Sequence, residues 1–387
     1  MRLAVNGWRT QGKRTGIARY LLNVVRHWTP PVVSERFSQI GFYVAHDADR
    51  SELGLPAGVD LHALASPRPM LVWENTRFAR AADEEVAFHP SFSIPLVRRG
   101  RTVVTTHDMV MELHPTLFSP DQRRFYNRLY RWSARHATLV ITDSQASRDD
   151  MVRLWGIPES RIRVVYLAPD EIFGPLEGDQ RVAEARQRFI GGDEPFFLFV
   201  GKLSGRRNVP LLVDAFAELK RRRADVPHKL LLIGMDVHGL DVRSRARDLG
   251  LGDAMVHHEY ISDDDLVALY NAAEAYVTPS AYETTSLPAL ESQVSRTPVI
   301  TIDTPGMREI TGGAAVLIPR LEVRELAEAM ERTATDGDLR ARLADEGARS
   351  VARFTWQRSS TDTLDVLEEA ARLPAHAARP NRPLAAS

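Results

Sequence analysis

The sequence predicts an α/β protein of two doubly wound domains, each a parallel sheet covered by helices on both faces. Three observations carry that prediction. Short apolar runs alternate with amphipathic stretches along most of the 387 residues. The alternation falls into two series. A stretch rich in glycine and proline separates them. Strands alternating with helical stretches form βαβ units, and parallel strands are buried on both faces.

The first series of strand-like runs is 2–5, 42–45, 85–89, 102–106, 138–142 and 162–166. Helix-like stretches lie between them, including 15–28, 121–136 and 144–155. The second series is 196–200, 229–233, 254–258, 275–278, 298–302 and 314–318, with helical patterns at 209–223, 263–271 and 287–294. The segment 168–195 between the series holds Pro169, Gly174, Pro175, Gly178, Gly191 and Gly192 and reads as an interdomain connection. The expected division is a first domain over 1–185 and a second over 190–353. Helical patterns continue at 322–333 and 338–353, and a closing helix over 355–373 is expected to pack back on the first domain. The tail 374–387, rich in Ala, Pro and Arg, is expected to be disordered. Two such domains, each with a crevice where its strand order reverses, are expected to face one another across a cleft.

Composition excludes several function classes. The 50 basic and 51 acidic side chains leave a net charge of −1, so nucleic acid is not expected as a partner. Cysteine is absent, which removes disulfides, thiolate metal sites and a cysteine nucleophile. No apolar run reaches the roughly 18 residues of a spanning helix. The N-terminus lacks the apolar stretch of a secretory signal. An intracellular enzyme is the class these facts suggest. Neighbouring His257 and His258 point to opposite faces of a strand, and no His-x-x-x-His with an acid lies nearby, so no protein-bound catalytic metal is expected.

Two glycine-rich turns invite a phosphate reading. After the first run comes Gly7-Trp8-Arg9-Thr10-Gln11-Gly12-Lys13-Arg14. A nucleoside-triphosphate loop needs Ser or Thr after the lysine to hold magnesium, and Arg14 cannot ligate a cation. Gly7, Gly12 and Gly16 also miss the dinucleotide spacing. The turn is either a surface loop, or Gly16-Ile17 opens a helix at the crevice where backbone can approach a ligand closely.

The second domain is more informative. Its first run ends in Gly201-Lys202-Leu203-Ser204-Gly205-Arg206-Arg207. Ligands of open parallel sheets bind beyond the carboxyl ends of the strands. Lys202 and Arg207 sit on that rim and suit a diphosphate, while Arg206 reads as solvated. The run 275–278 is followed by Glu283-Thr284-Thr285-Ser286-Leu287-Pro288-Ala289-Leu290-Glu291. Pro288 suits the first turn of a helix. The amides of Thr285, Ser286 and Leu287 then form a positive pocket for phosphate. A carboxylate only accepts hydrogen bonds, so Glu283 and Glu291 suit sugar and ribose diols rather than phosphate. For Glu291 the competing reading is a glutamate stabilised by its helix dipole.

These residues resemble the retaining family-4 glycosyltransferases of GT-B fold. The likeness rests on Gly201-Lys202 with Arg207 five residues on, then Glu283 and Glu291 in a Glu-x7-Glu pattern. Segments 138–148, 164–173 and 354–356 look like family segments, and 16–20 looks like its N-terminal glycine loop. The resemblance implies transfer of a hexose from a nucleoside-diphosphate sugar, a substrate, to an acceptor hydroxyl, with retention, without metal and with no cofactor. Lys202 and Arg207 would hold the donor diphosphate, Glu291 the ribose and Glu283 the transferred sugar. His107 matches the family's histidine near the reacting centre; its alternative is a strand-end histidine bonded to Asp108 or backbone. Two departures stand out. Thr284-Thr285-Ser286 replaces the family's Gly-Phe-Gly, and Glu259 replaces a glycine before Tyr260 and Ile261, whose backbone would contact the base.

The implied setting is cell-envelope, lipopolysaccharide or exopolysaccharide assembly in the cytoplasm, at the inner face of the membrane. Mannose is preferred as the donor sugar because the 15–20 loop looks like that subset. A glycan or lipid-linked acceptor is expected. In the stretch 122–136, Phe125, Leu129 and Trp132 form one stripe among five arginines. The favoured reading places that stripe against its own sheet; the other lays it on an anionic membrane. Two rival functions are a GT-B-fold sugar-nucleotide epimerase, which needs no acceptor, and a non-catalytic nucleotide-sugar-binding protein.

Overall fold

The computed structural model describes residues 1–11, 16–97, 100–176, 178 and 180–374. It divides into two units, Met1–Leu167 with Trp356–Ser387, and Ala168–Thr355. The expected tail 374–387 lies outside the described residues except for Pro374.

The first unit is a seven-stranded parallel sheet in the order β3-β2-β1-β4-β5-β6-β7. The strands are β1 (Arg2–Asn6), β2 (Gln39–Val44), β3 (Val59–Ala63), β4 (Val86–His89), β5 (Arg101–Thr105), β6 (Leu139–Thr142) and β7 (Ile162–Val164). Continuous apolar runs such as Leu3-Ala4-Val5 and Leu139-Val140-Ile141 are buried, as central parallel strands require. Strand β3 sits at the edge. Its residues Asp60 and His62 give it no apolar run to detect, and sequence reading missed it. The helix Gly16–Arg26 lays Tyr20, Leu21, Leu22, Val24 and Val25 inward.

The helix Trp356–Arg372 returns to this unit and packs beside Gly16–Arg26. It buries Trp356, Leu364, Val366 and Leu367, each contributing roughly 1.5–3 kcal/mol. Polar ties fix its angle: Ser359 Oγ donates to the Tyr166 carbonyl at 2.5 Å, and Arg163 pairs with Glu369.

The second unit is a six-stranded parallel sheet in the order β10-β9-β8-β11-β12-β13. Its strands are β8 (Phe196–Val200), β9 (Lys229–Ile233), β10 (Met255–His258), β11 (Ala275–Thr278), β12 (Val299–Ile302) and β13 (Val316–Ile318). The core packs Phe197, Phe199, Leu230 and Leu232 against Leu212, Phe216, Leu326 and Met330 from two helices. One boundary differs from expectation. Residues 168–185, assigned by sequence to the first domain, belong to the second unit. The cause is the helix Gln180–Phe189, which packs on Asp263–Ala272. Leu176 N–H also donates to Asn271 Oδ1 at 2.8 Å, and Phe173 meets Tyr270 edge-on.

Strand order reverses between β1 and β4 in the first unit and between β8 and β11 in the second. Ligand crevices form at the carboxyl ends of such strand pairs.

Candidate active site

The two motifs that the sequence singles out leave neighbouring strands. The turn 201–208 follows β8, and the loop 279–286 follows β11; the register sets Tyr276 beside Leu198. The two segments are strapped together. Ala281 N–H donates to the Arg206 carbonyl at 3.0 Å. Asn208 Nδ2 donates to the Pro279 carbonyl at 2.9 Å. Arg206 Nη1 donates to the Tyr282 carbonyl at 2.7 Å and pairs with Glu283 Oε1 at 3.2 Å. Arg206 is therefore not the solvated residue expected: it is the clamp that holds Glu283. Sequence spacing carried no sign of this, because the contact spans 77 positions and depends on the strand order.

The cation Arg207 lies against Gly201. An added Cβ at Gly201 would fall 1.4 Å from Arg207 Nη1, and the backbone there has φ +144°, which a side chain rarely adopts. Arg207 Nη1 donates to the Val200 carbonyl at 3.2 Å. Gly234, after β9, is equally constrained, since its Cβ would meet the Gly201 carbonyl oxygen at 2.0 Å. Lys202 is exposed and has no ion pair among the described residues.

The helix Leu287–Val294 begins where predicted. Ser286 is its N-cap, and its side chain accepts from the Ala289 amide at 3.4 Å. Pro288 has no N–H. The amides of Ser286 and Leu287, two of the three expected, donate to nothing among the described residues. None of Thr284, Thr285 and Ser286 has a positive φ. The loop thus forms without the family's glycines. The room that glycine would give comes from the opposite side: a Cβ at Gly306 would lie 2.5 Å from the Glu283 carbonyl oxygen and 2.9 Å from Thr284 Cα.

Glu291 is buried and accepts from the Tyr270 hydroxyl at 3.1 Å. Tyr276, beneath the loop, is buried and interacts with Thr278 and Ser286. Burial pushes its phenol up to about 12, opposed by the nearby Arg207. Tyr276 thus senses Arg207 and Glu283 at once, so the cation, the carboxylate and the helix mouth converge. Ile261, after β10, is buried; neighbouring Tyr260 is 82% exposed.

In the first unit, Gly16 opens its helix in open space: a Cβ there would meet nothing within 4 Å. His107 follows β5. Its Nδ1 lies 2.8 Å from Asp143 Oδ2 and its Nε2 lies 3.0 Å from the Pro90 carbonyl. Asp143 is the acid at Nδ1, and the Pro90 carbonyl is the backbone partner that the strand-end reading expects. Both neighbours are acceptors, which favours a ring protonated on both nitrogens. Burial disfavours that charge most strongly, yet Asp143 and the Pro90 carbonyl outweigh it and raise the pKa. In that protonated form both N–H groups are engaged, and His107 offers positive charge and no basic nitrogen. Tyr20 and Phe92 meet the ring edge-on at 5.0 and 5.5 Å.

The stripe on 122–136 differs from the favoured core reading. Phe125 is 57% exposed, and only Ser133 and Ala134 of the helix Arg128–His136 are buried. Among the described residues no helix is long and apolar enough to cross a membrane, and no group of three or more His, Asp or Glu could hold a metal ion.

Two family models match the chain: Glycosyltransferase Family 4 over residues 14–170, and Glycosyl transferases group 1 over 181–350. The chain is 29% identical over 272 residues to an alpha-D-kanosaminyltransferase of Streptomyces kanamyceticus, covering 68% of each chain. It is 26% identical over 277 residues to the O-antigen chain mannosyltransferase B of Escherichia coli, covering 71% of this chain and 72% of the relative. Its fold is similar to that of HepE from Anabaena, solved with UDP and glucose, at a TM-score of 0.75 and 18% identity, over 96% of this chain and 100% of that one. The two matched models span most of the chain and meet at the boundary between its two units: it belongs to the family-4 glycosyltransferases, with the GT-B fold.

Proposed function

We propose that the chain transfers a hexose, mannose first among the candidates, from a nucleoside-diphosphate sugar to a glycan or lipid-linked hydroxyl, with retention at the anomeric carbon. The observation that carries this reading is the strapping of the 201–208 turn to the 279–286 loop at the switch point between β8 and β11. A leaving diphosphate gains negative charge in the transition state. Lys202, Arg207 and the amides of Ser286 and Leu287 supply fixed positive charge for it, and no protein-bound metal is then required. Glu291 takes ribose hydroxyls. Glu283, held by Arg206, takes hydroxyls of the transferred sugar. Ile261 contributes its backbone to the base. His107, whose protonated form Asp143 favours, supplies positive charge in the first unit's crevice, and Gly16 leaves backbone exposed there.

The similarity to a mannosyltransferase of O-antigen assembly supports a cell-envelope setting. Calorimetric titration with UDP, GDP and dTDP tests the donor site, followed by a sugar panel on the base that binds. The expected result is tight binding of one diphosphate and its release as free nucleotide only with an acceptor present. Donor consumption without acceptor, or binding of none of the three, refutes the reading.

A further inference from the structure

We propose that Glu74 is a positioning residue for His107 and acts through the turn 90–93 that lies between them. The consequence for turnover rests on the reading that His107 serves sugar transfer. Glu74 sits at the switch point of the first unit, against the last residues of β1 and β4. Its side chain and that of His89 are each 1% exposed. Glu74 Oε1 accepts from Asn6 Nδ2 at 3.0 Å and lies 3.0 Å from His89 Nδ1, while Oε2 accepts from the Ser93 hydroxyl at 2.8 Å. No Lys or Arg pairs with Glu74 among the described residues. A carboxyl sunk this deep is costly to desolvate, and apolar packing would serve stability at least as well. What the carboxyl supplies instead is a fixed grip on both ends of the segment 89–93.

The segment held this way is strained. Phe92 has φ +53°, in the left-handed region that a phenylalanine resists. Such conformations persist where the surroundings over-determine them, and they cluster at functional sites. Here the surroundings act from two sides. On one side Glu74 holds His89 and Ser93, and neighbouring Asn75 Oδ1 accepts from the Leu96 amide at 2.7 Å. Glu74 and Asn75 open a π-helical turn, Glu74–Phe78, of the kind that concentrates at functional sites. On the other side the Phe92 amide donates to the Thr105 carbonyl at 2.8 Å, and the Pro90 carbonyl accepts from His107 Nε2 at 3.0 Å. The path is short: Glu74 to His89, one peptide bond to Pro90, one hydrogen bond to His107. A shift of the carboxyl therefore reaches the imidazole through backbone that has no slack.

The test is a pH titration of the histidine rings by NMR on the full chain, with the His107 signal assigned by its loss in His107→Gln. In Glu74→Gln one acceptor becomes a donor, so the grip on His89 and Ser93 loosens and the Pro90 carbonyl withdraws. Burial opposes the protonated His107 ring most strongly, and Asp143, the Pro90 carbonyl and Asp108 favour it. His107 should therefore titrate at lower pH in Glu74→Gln than in the wild type. Ser93→Ala keeps the carboxyl and removes one donor, so it should shift His107 the same way by less. Glu84→Gln is the control. Glu84 is also buried in this unit but accepts from the Tyr43 hydroxyl at 2.6 Å, so its loss should lower Tm and leave the His107 titration in place. With the donor that the sugar panel identifies, kcat should fall roughly 10- to 100-fold in Glu74→Gln, the cost of a misplaced group at a distance. An unmoved His107 in both Glu74→Gln and Ser93→Ala, or an equal shift in Glu84→Gln, would overturn the proposal. So would full turnover in Glu74→Gln where His107→Gln has lost it. Full turnover in His107→Gln would instead refute the role of His107 in sugar transfer, and the titration, which needs no substrate, would still decide whether Glu74 positions the ring.

Discussion

Substitution of Gly201 by alanine isolates the cationic turn with a single methyl group. The new Cβ would fall 1.4 Å from Arg207 Nη1, and φ +144° is a conformation alanine resists. The strain alone costs about 1–3 kcal/mol of stability. The clash is relieved by moving the flexible end of Arg207, so the fold survives while the guanidinium leaves its place. Loss of one charge-assisted hydrogen bond to a diphosphate is worth about 1.5–3 kcal/mol, or roughly 10- to 150-fold in Kd. Isothermal titration of Gly201→Ala, Arg207→Ala and the double variant, with the diphosphate that the wild type binds, closes a double-mutant cycle. Arg207→Ala is also expected to lower kcat by about 10²–10³, as for a lost oxyanion donor. The double variant should bind no more weakly than Arg207→Ala alone. Wild-type affinity in Gly201→Ala, or fully additive losses in the double variant, would show that the glycine does not act through Arg207.

Other outcomes follow from the same geometry. Gly306→Ala pushes on the backbone at Glu283 and Thr284, which cannot swing aside as a side-chain tip can; kcat/KM for the donor should fall at least tenfold, and Tm should fall with it. Arg206→Ala frees Glu283 and the Tyr282 carbonyl; donor KM should rise several-fold, and Arg206→Lys should not restore it, because one ammonium cannot replace the two-point clamp. His107 has a pKa raised above its ordinary value of about 6.5. Its charged clamp is therefore fully present below about pH 6.5 and lost as pH rises through the higher folded-state value. Thermal denaturation should show wild-type stability declining over that window and a flatter profile for His107→Gln.

Much of this was legible in the sequence, and the limits have physical causes. Buried parallel strands are written as uninterrupted apolar runs, so β1, β6, β8 and β11 could be placed to within a residue or so. The N-cap of Leu287–Val294 was readable because Pro288 and Ser286 occupy positions with strict chemical preferences. The edge strand Val59–Ala63 was not, since half its side chains face water. Nor was the role of Arg206, Gly306 or Asp143. Each acts on a residue from another strand's loop, and periodicity holds no information about which loops meet. The aromatic stripe on 122–136 misled for a related reason. Amphipathicity reports that one face differs from the other, and not which face is covered.

The chain leaves its first unit at Leu167 and re-enters it at Trp356. A ribosome therefore delivers the whole of the second unit as one uninterrupted stretch, able to condense while synthesis is still under way. The first unit must wait with Tyr20 and the Tyr166 carbonyl lacking their partners until the helix Trp356–Arg372 emerges. Fragments should behave unequally: a 168–355 piece carries everything needed to fold alone, whereas 1–167 lacks its own keystone. A late nonsense mutation near residue 355 would spare one half of the enzyme and leave the other unfinished.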